Sequence, residues 1–300
     1  MYTYEQQCVM DLADNYTLLY SFISRELMDA FGLEGERAVR EGTRRYGRDR
    51  GQQSREEHLA KGYKINMQTL FSVGSGLPKD PRFRRELQEL NPEERISHTL
   101  VCPMADIWKA YGEREIGRIY CEEFHPACYE RYAYDCGHTH LAKTLTQECD
   151  SYCAFNVTLR AQNLPDDLRP VCFAQYDPGY IQPAYEAPSV SAKRGFEKLC
   201  IKLYYYLLEA AADLCGEAGA EAVERGLEKM AADGAARARA AAAQYGVPFD
   251  EKLIDDTYPL SLEPERIDLW EPYRTHGARE RFARRFVPRM REELAKGGGR

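Results

Sequence analysis

The sequence lacks any hydrophobic run of the roughly 18 residues that a membrane-spanning helix needs. Its first residues, MYTYEQQCVMDLADNY, also lack the basic and apolar segments of a secretory signal peptide. A basic excess is absent too, because 48 Asp and Glu residues outnumber 41 Lys and Arg residues and give a net charge of −7. These absences predict a cytoplasmic protein that binds neither membranes nor nucleic acid.

What the sequence does contain is the composition of a soluble globular protein. Its 300 residues are 44% hydrophobic and 30% charged, which suits one large domain or two ordinary ones. It also has ten cysteines. In a reducing cytosol, such cysteines are expected to be free thiols, metal ligands or catalytic groups rather than disulfides.

The stretch from Cys121 to Cys153 concentrates the reactive side chains. Thiolates and imidazoles both bind soft metals and both act as nucleophile or base near neutral pH. Crowding them into one segment therefore predicts the functional site there. The segment holds five of the ten cysteines and three of the six histidines: Cys121, Cys128, Cys136, Cys149, Cys153, His125, His138 and His140.

The N-terminal part predicts two long helices. Residues 4–31 carry an apolar stripe at helical spacing and end at Gly32, a plausible helix terminator. Residues 34–61 form a second, highly charged pattern. The arginine run from Arg44 to Arg50 within it is interpreted as a solvated face, with anion binding as the alternative.

The middle of the chain predicts a small sheet with helices beside it. Residues 74–95 are expected to be a loop with a short helix, and residues 96–102 alternate as a strand that ends at Cys102. Helical spacing follows in MADIWKAYG. Another helix is expected from about Glu115, and it should break at His125 because Pro126 disfavours helical backbone before it.

A hairpin is expected over residues 139–160, with its turn at Glu148 to Ser151. In its second arm Cys153 alternates in phase with Phe155 and Val157, so Cys153 should be buried with them. The proline-rich residues after this arm predict an irregular connector that extends to residue 195.

The later part of the chain repeats the helical pattern of the first. Shifting residues 19–42 by 184 positions onto residues 203–226 gives eight identities, including Gly32 on Gly216 and Gly42 on Gly226. The second copy has no counterpart of the cysteine and histidine cluster. We therefore expect a degenerate helical repeat that packs on the first half.

These patterns together predict an α+β protein with a small antiparallel sheet flanked by helices, followed by a mostly α-helical repeat. The expected division is a site-bearing domain at 1–165, a connector at 166–195 and the repeat at 196–300.

Three short motifs carry a family resemblance. CPMADIW (Cys102–Trp108), YCEE (Tyr120–Glu123) and ECDSYCAF (Glu148–Phe155) resemble the L-2-amino-thiazoline-4-carboxylic acid hydrolase family over about residues 5–160. The resemblance implies hydrolytic opening of a carbon–nitrogen bond in a small cyclic amidine or amide, such as 2-aminothiazoline-4-carboxylate. Departures from the family pattern are Cys149 at a usual glycine position, the His138 and His140 pair, and the additional second half.

A second similarity is to the 4-vinyl-reductase type of sensor domain, which also ends on a Cys-x-Phe strand. It implies a small-molecule-binding module with a structural zinc site in which Cys121 and Cys153 are ligands. Ala142 and Leu145 stand near the other expected ligand positions.

The two readings give overlapping candidate site residues. For catalysis they are Cys102, Cys121, His125, Glu122 and Glu123, with a thiolate as nucleophile and the histidine and acids moving protons. Cys102 precedes a helix N-terminus, which should lower its pKa. Burial as ordinary core residues is the alternative for each cysteine.

A metal-activated water is the second mechanism that the residues allow. The metal candidates are Cys121, Cys153, His125 and His138. The cofactor is left open, with a divalent metal such as zinc as the candidate. The expected partner is a small-molecule substrate, and homo-oligomerisation is left open.

Overall fold

The computed structural model describes residues 2–74, 77–147, 149–185 and 189–297. It is an α+β fold, as the sequence predicts, with one antiparallel sheet and long helices. The strands are β1 (Arg84–Leu90), β2 (Glu94–Val101), β3 (His138–Lys143) and β4 (Cys153–Thr158). The helices are α1 (Tyr4–Phe31), α2 (Leu33–Ala60), α3 (Met67–Ser72), α4 (Pro103–Ala110), α5 (Arg114–Tyr132), α6 (Arg169–Cys172), α7 (Ala192–Tyr245), α8 (Glu251–Thr257) and α9 (Ala278–Gly297).

The first two helices have nearly the predicted bounds. The side chain of Thr3 caps α1 by accepting a hydrogen bond from the backbone N–H of Gln6. Gly32 separates α1 from α2 with φ of 57°, a conformation that glycine adopts without steric cost. The predicted glycine terminator is thereby confirmed.

The strand order is β1-β2-β4-β3, and all neighbours are antiparallel. The predicted hairpin of β3 and β4 is confirmed, and Cys153 is buried with 6% of its surface exposed. Of its predicted turn, Glu148 lies outside the described residues, as does Pro188 of the connector.

Strand β1 lies where the sequence predicted a loop, so that prediction was wrong. Its sequence, RRELQEL, is almost entirely exposed and has no apolar alternation to mark a strand. Pairing with β2 orders it instead.

The inward face of β2 also differs from the apolar face that the alternation suggests. Arg95, Ser97 and Thr99 are buried, whereas Ile96 and His98 on the other face are partly exposed. Polar groups thus lie under the helices. This arrangement is unusual for a sheet interior, because buried polar groups need partners.

Helix α5 continues through Pro126, contrary to the break predicted at His125. Tertiary packing against α2 accounts for the difference, because glycines let the two backbones approach closely. A methyl group at Gly47 would lie 2.9 Å from the carbonyl oxygen of Phe124, and one at Gly51 would lie 2.0 Å from that of Cys128. Such contacts offset the hydrogen bond that a proline removes.

The later helices pack against the first ones. Buried apolar side chains from both halves of the chain pack into one hydrophobic core, which contains Leu19 and Tyr20 as well as Leu207 and Phe286. A methyl group at Gly42 would meet Leu207 of α7, and one at Gly226 would meet Ile23 of α1. The two contacts correspond to each other under the sequence repeat, because Gly226 lies 184 positions after Gly42 and Leu207 lies 184 positions after Ile23. Among the described helices, none is both long and apolar enough to cross a membrane.

Candidate functional site

Helix α5 crosses the inner face of the sheet, and the space between them holds most of the predicted site residues. The strand register arranges that face in rows, because residues paired across antiparallel strands share a face. One row is Arg85, Thr99 and Cys153, the next contains Ser97, Phe155 and Leu141, and the third is Arg95, Val157 and Thr139.

Three cysteines from distant parts of the sequence meet at one end of this space. Cys102 is the N-cap of α4, Cys121 lies on α5, and Cys153 begins β4. The Cys121 thiol is close enough to the other two for their charges to act on its pKa. The pairing of β2 with β4 brings Cys102 and Cys153 to the same edge.

Burial keeps these thiols protonated at neutral pH. It raises the pKa of Cys102 to about 11, although backbone N–H groups of Ala105 and Met104 at the α4 N-terminus act in the opposite direction. Burial also raises the pKa of Cys121 well above its ordinary value, and that of Cys153. The helix N-terminus was expected to lower the Cys102 pKa, but desolvation has the larger effect.

His125 lies one turn after Cys121 on α5, in an aromatic environment. Its ring is 4.9 Å from that of Phe155 and 5.6 Å from that of Tyr129, measured between centroids. Burial and the positive charges of Arg85 and Arg95 lower its pKa to about 3, so the imidazole is neutral. A neutral imidazole is able to accept a proton.

Two arginines that the sequence analysis missed face the same space. Arg95 is 2% exposed, and its guanidinium lies 4.1 Å from the centroid of the Phe71 ring. Burial lowers its pKa to about 10. Arg85 donates a hydrogen bond from Nε to Oγ1 of Thr99 at 3.1 Å. Arginine at an inward strand position was the available signal, because such a residue is rarely buried without a reason.

Several buried polar atoms on this face have no hydrogen-bond partner among the described residues. They are Oγ of Ser97, Oγ1 of Thr139 and Nδ1 of His125. Native proteins satisfy most buried polar groups, so unsatisfied ones that share a face indicate a place for a polar ligand.

Glu122 and Glu123 lie on the side of α5 that faces α2. Glu122 accepts hydrogen bonds from Arg40 and Arg118, and Glu123 accepts them from Arg40 and Arg44. Arg44 of the predicted solvated run is thus an exposed ion-pair partner. The structure does not bring the two predicted catalytic carboxylates to the thiols.

His138 lies on the opposite side of the sheet from the cluster. It pairs with Thr158 and is exposed, whereas Cys153 points inward. The predicted metal set of Cys121, Cys153, His125 and His138 therefore does not converge. Within residues 2–74, 77–147, 149–185 and 189–297, no three His, Cys, Asp or Glu side chains are arranged to hold a metal ion.

The structure also offers no metal ligand at the two further positions, Ala142 and Leu145, that the resemblance to the sensor domain implies. Ala142 is exposed on β3, and the backbone N–H of Leu145 donates to Sγ of Cys153 at 3.3 Å. Neither side chain can bind a metal.

The remaining cysteines are elsewhere. Cys128 is buried where α5 meets α2, and Cys172 and Cys200 are fully buried in the hydrophobic clusters. Cys149 is exposed beyond β3. These positions fit ordinary packing or surface residues.

Comparison with known proteins identifies a family for the site-bearing segment. Residues 14–157 match the family model described as L-2-amino-thiazoline-4-carboxylic acid hydrolase. The matched segment contains α5, the first three strands, all but the last residue of β4, and the three converging thiols. No curated protein and no solved structure matches the chain. The family resemblance seen in the motifs is thus confirmed for this segment, and the match ends before the connector.

Proposed function

We propose that this chain, whose residues 14–157 match the thiazoline-carboxylate hydrolase family, opens a carbon–nitrogen bond in a small cyclic amidine. 2-Aminothiazoline-4-carboxylate is the first substrate to test. The observation that carries the proposal is the convergence of Cys102, Cys121 and Cys153 in the matched segment, with a neutral His125 one helical turn after Cys121. Thiols are competent nucleophiles once ionised, and a neutral imidazole can accept or donate a hydrogen bond that orients the reacting groups.

The proposed reaction begins with attack of a thiolate on the amidine carbon, which forms a carbon–sulfur bond. The ring carbon–nitrogen bond then breaks, and the departing nitrogen, which is a stronger base than the buried His125 with its pKa of about 3, takes up the proton that the thiol releases. Water next attacks the same carbon and expels the cysteine thiolate. The overall change adds one water and leaves an open-chain carbamoyl product and an unchanged enzyme.

The charge of the substrate suits the resting state of the site. A protonated cyclic amidine is a cation, and a nearby cation favours the ionised form of a thiol. Substrate binding would therefore lower the thiol pKa values that burial raises in the free protein. The positive charge of Arg85 also acts to lower the pKa values of Cys102 and Cys153.

A small-molecule-binding module is the second candidate function. The specific observation in its favour is that all three thiols are held protonated, a state in which they are poor nucleophiles. Such a module would bind a cyclic amidine without turning it over.

The deciding experiment is incubation of the purified protein with 2-aminothiazoline-4-carboxylate and detection of the ring-opened product by mass spectrometry. Serine variants at Cys102, Cys121 and Cys153 should identify the nucleophile by a loss of about a thousandfold or more in kcat/KM. Cys149→Ser is the matched control, because that thiol is exposed and outside the cluster, and it should retain full activity.

Two results would count against the enzyme. If the protein binds the amidine but forms no product, the binding module is the better account. If all three serine variants remain as active as the Cys149→Ser control, the thiols do not carry the reaction.

A further inference from the structure

Arg95 is a buried positive charge without a negative partner in the part of the chain that the structure describes. Its guanidinium lies 4.1 and 5.9 Å from the centroids of the Phe71 and Phe155 rings, and no carboxylate of the described residues lies within ion-pair distance of it. A lone buried charge is strongly unfavourable, so proteins pair such groups or use them.

Two partly exposed arginines of this chain show the usual arrangement. Arg82 binds Asp14 at 2.6 Å, and Arg45 binds Glu209 at 3.0 Å and Asp213 at 2.7 Å. Those side chains are between a fifth and a third exposed, whereas Arg95 is almost completely buried. Of these three arginines, the two that are partly exposed are paired with acids, and the almost completely buried Arg95 is not paired with any acid of the described residues.

A second guanidinium increases the positive charge at this place. Arg85 precedes Arg95 by one strand, and its charge acts on both Arg95 and His125. Its side chain binds Thr99, a neutral hydroxyl, at 3.1 Å. Arg85 is an exposed residue, so water screens part of the repulsion between the two guanidinium groups, and an anion held at Arg95 would be attracted by both.

The neutral groups around Arg95 complete a set of hydrogen-bond donors. Ser97 is two residues along the same strand, and Thr139 lies in the same cross-strand row two strands away. Both hydroxyls are buried and without partners among the described residues. A carboxylate has two oxygens that accept several hydrogen bonds, so it fits a guanidinium flanked by hydroxyls.

We propose that Arg95, assisted by Arg85 and the hydroxyls of Ser97 and Thr139, binds the carboxylate of the substrate and makes the site selective for small carboxylic acids. The carboxylate is held beside His125, which places the remainder of the molecule toward the three thiols. The ring chemistry rests on the proposed function, but the selection of an anion does not.

A pair of thiol reagents tests this selection without knowledge of the substrate. Iodoacetate carries a carboxylate, and iodoacetamide is its neutral counterpart with the same reactive carbon. The full-length protein is treated with each reagent at about pH 9, where thiolates form more readily. Labelling rates at Cys102, Cys121, Cys153 and the exposed Cys149 are then followed by peptide mass spectrometry.

The expected result is a charge preference confined to the cluster. The iodoacetate to iodoacetamide rate ratio at the fastest cluster thiol should exceed the ratio at Cys149 by about tenfold or more. In Arg95→Gln the ratio should fall to that of Cys149, and Arg95→Lys should restore part of the preference. Arg84→Gln removes an exposed arginine of the neighbouring strand β1 and should leave the ratio unchanged.

Equal ratios at the cluster and at Cys149 would overturn the proposal, and so would a preference that survives Arg95→Gln. Absence of labelling by iodoacetate at every cluster thiol would also overturn it. A misfolded variant is recognised by circular dichroism, and the wild-type ratio then decides alone. Because the assay needs no turnover, failure of the anion site and failure of the hydrolase are observed separately.

Discussion

His125 gives the protein a pH-dependent stability. Its pKa is about 3 in the folded protein because burial and two arginine charges disfavour the imidazolium, whereas the unfolded value is near ~6.5. A depressed folded pKa means that the unfolded state binds more protons between these values. The contribution of the neutral His125 to the free energy of unfolding is therefore complete above about pH 6.5 and is lost as the pH falls toward 3.

We predict that His125→Phe removes this part of the acid dependence. The ring lies among aromatic side chains, so phenylalanine keeps most of the packing. Urea denaturation at several pH values between 7 and 4 should show wild-type stability falling faster than that of the variant. Parallel curves for the two proteins would mean that the pKa of His125 is the same in the folded and unfolded states.

Glu224 is the residue whose removal should most affect the C-terminal helices. Its side chain is 1% exposed and accepts hydrogen bonds from Arg281, Arg284 and Arg285 at 2.6–2.7 Å. Burial alone would raise the pKa of Glu224, but the hydrogen bonds from the three arginines lower it by more, so the net shift is downward. The arginines would be left facing one another without it.

We expect Glu224→Gln to lower the free energy of unfolding by about 2–4 kcal/mol, as for other broken buried ion pairs. Glu228→Gln is the control, because Glu228 is 39% exposed and meets Arg285 at 3.1 Å. Its cost should be below about 1 kcal/mol. Equal losses in the two variants would show that burial of Glu224 has no energetic weight.

At this scale the sequence identified the thiols but not their charge environment. Cys102, Cys121 and Cys153 stood out by residue type and motif, and the structure brings them together. Arg95 did not stand out, because a single arginine in an alternating strand is usually exposed. Glu122 and Glu123 looked catalytic because they adjoin Cys121, but successive helix positions point in different directions.

Among the elements, α2 depends on its glycines. They line the contact with α5, and the closest approach is at Gly51, where an added methyl group would lie 2.0 Å from the Cys128 carbonyl oxygen. A backbone oxygen cannot move without shifting the helix that carries Cys121 and His125. The α2–α5 contact therefore sets the position of the site helix.

We predict that Gly51→Ala destabilises the protein by about 1–3 kcal/mol, the usual cost of overpacking. It should also change the alkylation rate of Cys121, which lies on the same helix. Gly179→Ala is the control: its nearest neighbour would be 3.9 Å from the added carbon, and it should change neither quantity. A fully stable Gly51→Ala with normal labelling would contradict the close contact.

Element prediction succeeded where the signal was local. The apolar stripe and Gly32 were enough to place α1 and α2, whose bounds differ from expectation by about one residue at each end. Strand β1 was missed because its pairing partner, and not its own sequence, orders it. The helix break predicted at Pro126 was wrong, because tertiary contacts of α5 outweigh the local cost of a proline in a helix.

The whole molecule is held together by a core that both halves of the chain build. Helix α7 supplies Leu203, Tyr204 and Leu207 to the same cluster as Leu19 and Ile23 of α1. The site-bearing segment alone would expose this apolar face to water. Its sequence match to a family does not by itself make it an independent folding unit.

We expect a fragment of residues 1–165 to aggregate, or to dimerise through the face that α7 covers. Size-exclusion chromatography and circular dichroism against the full-length protein would show it. Co-expression with residues 166–300 as a separate chain should restore a soluble, folded complex, because the lost contacts are then available. A monomeric fragment with a cooperative unfolding transition would show that the later helices are dispensable.

The protonated thiols of the resting site also determine how the protein withstands oxidants. Peroxides convert the thiolate, not the thiol, to sulfenic acid, and accessible low-pKa cysteines are modified first. Burial holds Cys102, Cys121 and Cys153 in the thiol form, so they should react slowly with peroxide. Peroxide should therefore oxidise the exposed Cys149 before them. Under the proposed function, a bound cationic substrate ionises a thiol of the cluster, and the same ionisation that makes this thiol a nucleophile would make it sensitive to oxidation.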